Sequence, residues 1–118
     1  MAAEIKIKRV YEQPQAQDGT RILVDRLWPR GLSKEKAKID FWMENMAPSN
    51  ELRKWYGHEP GKREEFKKRY FAELGVQVNA VKKLASIIEK GPVTFLYSYS
   101  KEEKLNNAHA LKLYIEKG

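Results

Sequence analysis

Ile22-Leu23-Val24-Asp25-Arg26-Leu27-Trp28-Pro29-Arg30-Gly31 passes from a continuous apolar run to a turn dense in charge and aromatic surface. The Ile22-Leu23-Val24 run has the composition of a strand covered on both faces. Pro29 cannot continue a hydrogen-bonded ladder and Gly31 lets the backbone turn, so the strand ends in this loop. Upstream, Pro14 and Asp18-Gly19 mark a loop and turn. Before them, Ile5-Lys6-Ile7-Lys8-Arg9-Val10 alternates apolar and basic residues with period two, the pattern of a half-exposed strand. Downstream, Val93-Thr94-Phe95-Leu96-Tyr97 is a third compact apolar strand.

Between the second and third strands the spacing is helical. Ser33 is an N-cap candidate for a helix carrying Ile39, Met43 and Met46 at i, i+4 and i+7, closed by Pro48. Ser49 opens a short helix through Leu52 and Trp55, which Gly57 and Pro60 punctuate. Phe66, Tyr70 and Leu74, with Phe71 beside them, form the apolar face of a third helix stopped by Gly75. A fourth carries Val78, Val81, Ala85 and Ile88 up to Gly91-Pro92. Ser100-Lys101-Glu102-Glu103 matches a capping box and starts a last helix running toward Glu116, with Ala108, Leu111 and Ile115 as its buried stripe. So long a helical connection predicts that the second and third strands lie parallel. The expected architecture is one α/β domain over residues 1–118. Its mostly parallel open sheet has three or four strands, the fourth being short and hidden within helical spacing, flanked by about five helices.

Composition narrows the function classes. The 118 residues carry 42% apolar and 33% charged side chains, a net charge of +7 and thirteen aromatics, enough for one core without a disulfide or metal staple. With no cysteine, the chain has no disulfide framework, thiolate metal site, cysteine nucleophile or redox pair. No apolar run exceeds three residues, which excludes a membrane span or a signal segment of the usual kind, so a cytoplasmic protein is expected. The basic balance favours anionic partners: phosphates, nucleic acid or acidic proteins.

Parallel second and third strands bring their C-terminal ends to one sheet edge, where open α/β sheets bind ligands. That edge gathers the Asp25 to Gly31 loop and the Ser98-Tyr99-Ser100 segment leading to Asn106 and Asn107. Amides at the start of the last helix offer an anion seat if Ser100 is the cap. Arginine forks match two oxygens of a phosphate or carboxylate and stay charged at any working pH. Alternatively, Arg26 and Arg30 are solvated charges, Trp28 is a core plug and Asp25 an ion-pair partner that orients Arg26. Arg53, Trp55 and His58 form a second cluster, in which His58 titrates near neutrality and suits a general acid or base, or else a surface role. His109, between Ala108 and Ala110, reads as structural. These two histidines fall short of a closed zinc site, so no metal is assigned. The Lys62 to Tyr70 segment has a basic face with aromatics that suits nucleic acid, but Glu64 with Lys68 and Glu65 with Arg69 are good helical ion pairs, the pattern of a solvated amphipathic helix.

Arg9-Val10-Tyr11, the run Asp18-Gly19-Thr20-Arg21-Ile22-Leu23-Val24-Asp25-Arg26-Leu27-Trp28-Pro29-Arg30-Gly31-Leu32-Ser33, and Ala47-Pro48-Ser49 through Leu52-Arg53-Lys54-Trp55 resemble the YeaO-like (DUF488) family of small bacterial and archaeal proteins. The resemblance covers nearly the whole chain and continues through Phe66 to Leu74, Leu96-Tyr97 and Asn106-Asn107-Ala108. It implies a compact cytoplasmic α/β domain and supplies neither a reaction nor a cofactor. It also implies that longer relatives carry a cysteine-containing strand and a Cys-His-Arg segment where this chain has Leu96-Tyr97-Ser98 and Asn106-Asn107-Ala108. No thiol chemistry transfers to this chain.

The leading expectation is therefore that Asp25, Arg26, Trp28, Arg30, Arg53, Trp55, His58, Tyr97, Asn106 and Asn107 gather at one sheet edge around a small anionic ligand, phosphorylated or nucleotide-like. Arg26, Arg30 and Arg53 would hold the anion, Trp28 and Trp55 would stack on it or wall the pocket, Asp25 would orient Arg26, and His58 would carry the proton of any reaction. The rival expectations are a basic nucleic-acid-binding module and an interaction subunit that docks on an acidic partner.

Overall fold

The computed structural model describes residues 4–57, 59–98 and 107–117. Four strands form one sheet: β1 (Ile5–Arg9), β2 (Thr20–Leu23), β3 (Phe41–Trp42) and β4 (Val93–Tyr97), in the order β1-β4-β2-β3. Every pairing is parallel, with Ile7 opposite Phe95, Ile22 opposite Phe95 on the other side, and Leu23 opposite Trp42. Among the described residues five helices accompany the sheet: α1 (Lys34–Ala37), α2 (Asn50–Tyr56), α3 (Arg63–Val76), α4 (Val78–Glu89) and α5 (Asn107–Lys117). Among the described residues, no helix is long and apolar enough to cross a membrane.

The central position of β4 explains its composition, since every residue from Val93 to Tyr97 is buried. Side chains alternate across the pleat. Ile22, Val24, Val93, Phe95 and Tyr97 enter the larger core, where they meet Phe66, Tyr70 and Leu74 of α3, Leu84 and Ile88 of α4, and Ala108 and Leu111 of α5. Leu23, Leu96 and Val10 lie in a smaller core roofed by Trp28, Leu32 and Ile39. The apolar run from Ile22 to Val24 is thus covered on both faces, as its composition requires.

The predicted helix from Ser33 to Pro48 is the main correction. Ser33 does cap a helix, its hydroxyl accepting from Lys36 N–H, but α1 lasts four residues and ends at Lys38 in the left-handed region (φ 48°). Asp40 then accepts the Arg21 amide at 2.8 Å while its own amide donates to the Arg21 carbonyl, drawing the chain alongside β2 as β3. A 3-10 turn, Glu44–Met46, follows. The hidden fourth strand is this one.

Three smaller differences concern helix faces. Gly75 lies inside α3 rather than stopping it, and the helix closes at Gln77. In α4, Val78 is 51% exposed and Ala85 faces outward, so Leu84, Ile87 and Ile88 form the buried stripe. Glu64 pairs with Lys67 instead of Lys68, whereas Glu65 does pair with Arg69. The capping box at Ser100 lies outside the described residues.

The Ser49 cap of α2 is formed: its hydroxyl oxygen accepts from Leu52 N–H. The same hydroxyl donates to Glu73 of α3 at 2.6 Å, and Glu73 also accepts the Ser49 amide, so one residue joins two helices. Replacing an N-cap serine with alanine costs about 1 kcal/mol. Ser49→Ala is expected to lose at least that in chemical denaturation, with unchanged denaturant sensitivity because the fold is retained.

Candidate functional site

The C-terminal ends of β2 and β4 open onto a cavity of about 400 Å³. Its lining includes Asp25, Arg26, Leu27, Trp28, Pro29 and Arg30 from the loop after β2, and Ser98 after β4. Arg53 and Tyr56 of α2, Phe66 of α3, Asn107 at the start of α5, Tyr11, Ala47 and Pro48 complete it. Tyr56 stacks on Phe66 with ring centroids 4.0 Å apart, giving the cavity a rigid apolar wall continuous with the core.

The loop after β2 is pinned by indoles. Trp28 donates its ring N–H to the Leu32 carbonyl at 2.6 Å, closing the turn around Pro29, and meets Trp42 edge-on with centroids 5.5 Å apart. Trp42 in turn donates to the Asp25 carbonyl at 2.8 Å. The short strand β3 thus places Trp42 against the loop that lines the cavity. Tyr11 donates to the Arg30 carbonyl at 3.2 Å from the opposite side.

Asp25 is anchored across the sheet edge. Its Oδ2 accepts the Ser98 amide at 2.7 Å and the Ser98 hydroxyl at 2.8 Å, and the Asn107 amide bonds the same carboxylate. Burial nevertheless pushes the Asp25 carboxyl above its usual range, outweighing these hydrogen bonds and the nearby Arg53 charge. Asn107 also donates to the Val24 carbonyl at 2.8 Å, tying α5 to the end of β2.

Asp25 does not orient Arg26. The Arg26 guanidinium donates instead to the carbonyls of Pro48 at 3.2 Å and Ala47 at 3.3 Å, which fixes the fork while leaving other N–H groups uncommitted. Arg53 reaches Asn50 at 3.5 Å, and Arg30 is exposed. Among the described residues, no carboxylate forms an ion pair with Arg26, Arg30 or Arg53.

Of the ten expected site residues, the cavity thus brings together Asp25, Arg26, Trp28, Arg30, Arg53 and Asn107. Trp55 stands apart, between the Arg69 guanidinium 4.2 Å and the Lys62 ammonium 5.0 Å from its ring centroid. Tyr97 is only 5% exposed and belongs to the larger core. His58 and Asn106 lie outside the described residues. Ser98 lines the cavity at the edge where its segment is expected, whereas Tyr56, Phe66, Ala47 and Pro48 are lining residues that the sequence does not single out for the site. Among the described residues, no three histidine, cysteine or acidic side chains gather to hold a metal ion.

A family model described as the inactive DUF488-N3 subclade matches residues 4–118. The chain belongs to the DUF488 family. The uncharacterized protein YeaO of Escherichia coli is 44% identical over 109 residues, which span 92% of each chain. Uncharacterized proteins of Mycobacterium bovis and Mycobacterium tuberculosis are each 46% identical over 70 residues, 59% of this chain and of theirs. No solved structure matches this DUF488 chain. Membership bears out the resemblance carried by the Asp18 to Ser33 segment, at whose C-terminal half the cavity lies.

Proposed function

We propose that the cavity at the end of β2 and β4 binds a small anionic ligand, phosphorylated or nucleotide-like, and that the protein is a binding module rather than a catalyst. The observation that carries this reading is the lining of one concave site by three guanidiniums with no ion-pairing carboxylate among the described residues. Guanidiniums so placed complement phosphate oxygens in two-pronged hydrogen bonds. The volume of about 400 Å³ is within the range of small-molecule sites. The absence of cysteine and the description of the matching subclade as inactive favour binding over turnover. The basic face of α3 gives less support to a nucleic-acid reading, because Lys67 and Arg69 are paired with Glu64 and Glu65 on their own helix.

The reading is tested by thermal unfolding against inorganic phosphate, sugar phosphates, nucleotides and dicarboxylates. A ligand at a hundred times its dissociation constant stabilises by about 2.7 kcal/mol, on the order of ten degrees for a domain of this size. A hydrogen bond to a charged group contributes about 1.5–3 kcal/mol, so Arg30→Ala is expected to weaken binding roughly tenfold to a hundredfold. Unchanged affinity in that variant would remove Arg30 from the site. No shift with any anion, together with salt-sensitive binding of oligonucleotides, would move the function to nucleic acid.

A further inference from the structure

We infer that Asp25 restricts the site to anions that also carry a hydrogen-bond donor, such as phosphorylated amines or alcohols, and that it discriminates against phosphates lacking one. The inference rests on the anion-pocket reading above and goes further in naming the second half of the ligand.

A carboxylate among anion-binding arginines is an anomaly unless it has a task. Asp25 lines the same cavity as Arg30 and Arg53, so its negative charge would oppose a phosphate bound there. Asp25 feels the nearby Arg53 charge but forms no ion pair with an arginine of the cavity. Arg26 is held by backbone carbonyls instead, and Arg53 forms no ion pair with Asp25.

The carboxylate is also built to stay in one orientation. Ser98 supplies two donors to Oδ2 and Asn107 a third, from segments more than seventy residues away in sequence. An ionised carboxylate has roughly four acceptor sites, so about one remains. Asp25 is among the residues that line the cavity, and the inference has a ligand N–H or O–H take that remaining site. Burial raises the carboxyl pKa even with these partners in place, so the ionised form gains from one further donor. A ligand that presents phosphate to the arginines and an amine or hydroxyl to Asp25 satisfies both ends. One that presents phosphate alone leaves a half-buried charge short of a partner.

Calorimetric titration with phosphoethanolamine, glycerol 3-phosphate and propyl phosphate separates the cases, since the three are similar in size and the last has no donor on its chain. The wild-type protein is expected to bind the first two roughly tenfold or more tightly than propyl phosphate, the scale of one hydrogen bond to a charged group. In Asp25→Asn, which can still accept from Ser98, the preference is expected to collapse while propyl phosphate binds as well or better. Equal wild-type affinities for all three would overturn the selectivity and leave the anion pocket standing. A parallel loss of all three in a folded Asp25→Asn would reduce Asp25 to a scaffold residue and equally overturn it. Binding of none of them would overturn the pocket reading itself, and this inference with it. The wild-type comparison decides the question even if the variant does not fold.

Discussion

Asp18→Ala is expected to destabilise the fold by about 3–5 kcal/mol, the cost of removing one partner from a buried ion pair. Asp18 is 1% exposed and Arg21 4% exposed. Asp18 accepts from Arg21 at 2.6 Å, from Lys8 at 3.1 Å and from the Gln15 amide at 3.0 Å. Without the carboxylate, Arg21 stays buried with only the carbonyls of Ala37 and Lys38 as partners. A thermal melt should fall by on the order of ten to twenty degrees. The difference should also depend on pH. Burial by itself would raise the Asp18 carboxyl, but the Gln15 amide, Lys8 and Arg21 together hold it below the usual aspartate range. A carboxylate with a depressed folded pKa stabilises above its unfolded value, about 3.9, and that contribution is lost as pH falls through the folded value. The gap between wild type and variant is therefore expected to be full at neutral pH and to close below about pH 4. A gap that does not narrow on acidification below about pH 4 would show that the carboxylate's charge is not what stabilises this corner.

Gly19→Ala is expected to be as damaging for a steric reason. Gly19 has φ +66°, and a Cβ built there would stand 2.2 Å from the Pro92 carbonyl oxygen. That oxygen accepts the Thr20 amide at 3.0 Å, at the point where β2 begins alongside β4. The obstruction is backbone, so it cannot rotate away. The unfavourable φ/ψ region alone costs about 1–3 kcal/mol, and the clash adds to it by forcing the two central strands apart. Denaturant melts should show a loss above about 3 kcal/mol. A loss below about 1 kcal/mol would mean that the turn relaxes without disturbing the sheet.

Elements whose signals are local were legible in the sequence. The β-branched run at Ile22 and the Val93 to Tyr97 segment read as strands because continuous apolar residues suit central parallel strands, and the long helical connection between them made a parallel pairing the economical topology. β3 was not legible. Phe41 and Trp42 are too few to show a period, and Ile39, Met43 and Met46 recur at helical spacing because they serve two different cores from an irregular segment. What ends α1 is a lysine at positive φ and an aspartate held by Arg21, contacts that no local pattern announces.

The site divides in the same way. That the Asp25 to Arg30 loop lies at the C-terminal edge of the sheet was readable from strand direction alone. The partner of Asp25 was not, because the nearest basic residue in sequence is Arg26, whereas the hydrogen bonds come from Ser98 across the sheet edge. Trp55 and Tyr97 were misplaced because an aromatic residue near a predicted site carries no mark of the side to which it faces. Tyr56 and Phe66 were missed for the complementary reason: a buried aromatic can pack the core on one face and wall a cavity on the other.

The strand order has a consequence for the chain as it is synthesised. β1 is hydrogen-bonded only to β4, so a nascent chain that has emerged through residue 92 holds β1 with nothing to pair with, while β2 has only the two-residue β3 beside it. Closing so long a connection is costly in chain entropy and delays the contacts that would repay it. The alternating lysines of Ile5-Lys6-Ile7-Lys8-Arg9 then take on a second value, since charge along an unpaired edge discourages adhesion to other incomplete chains.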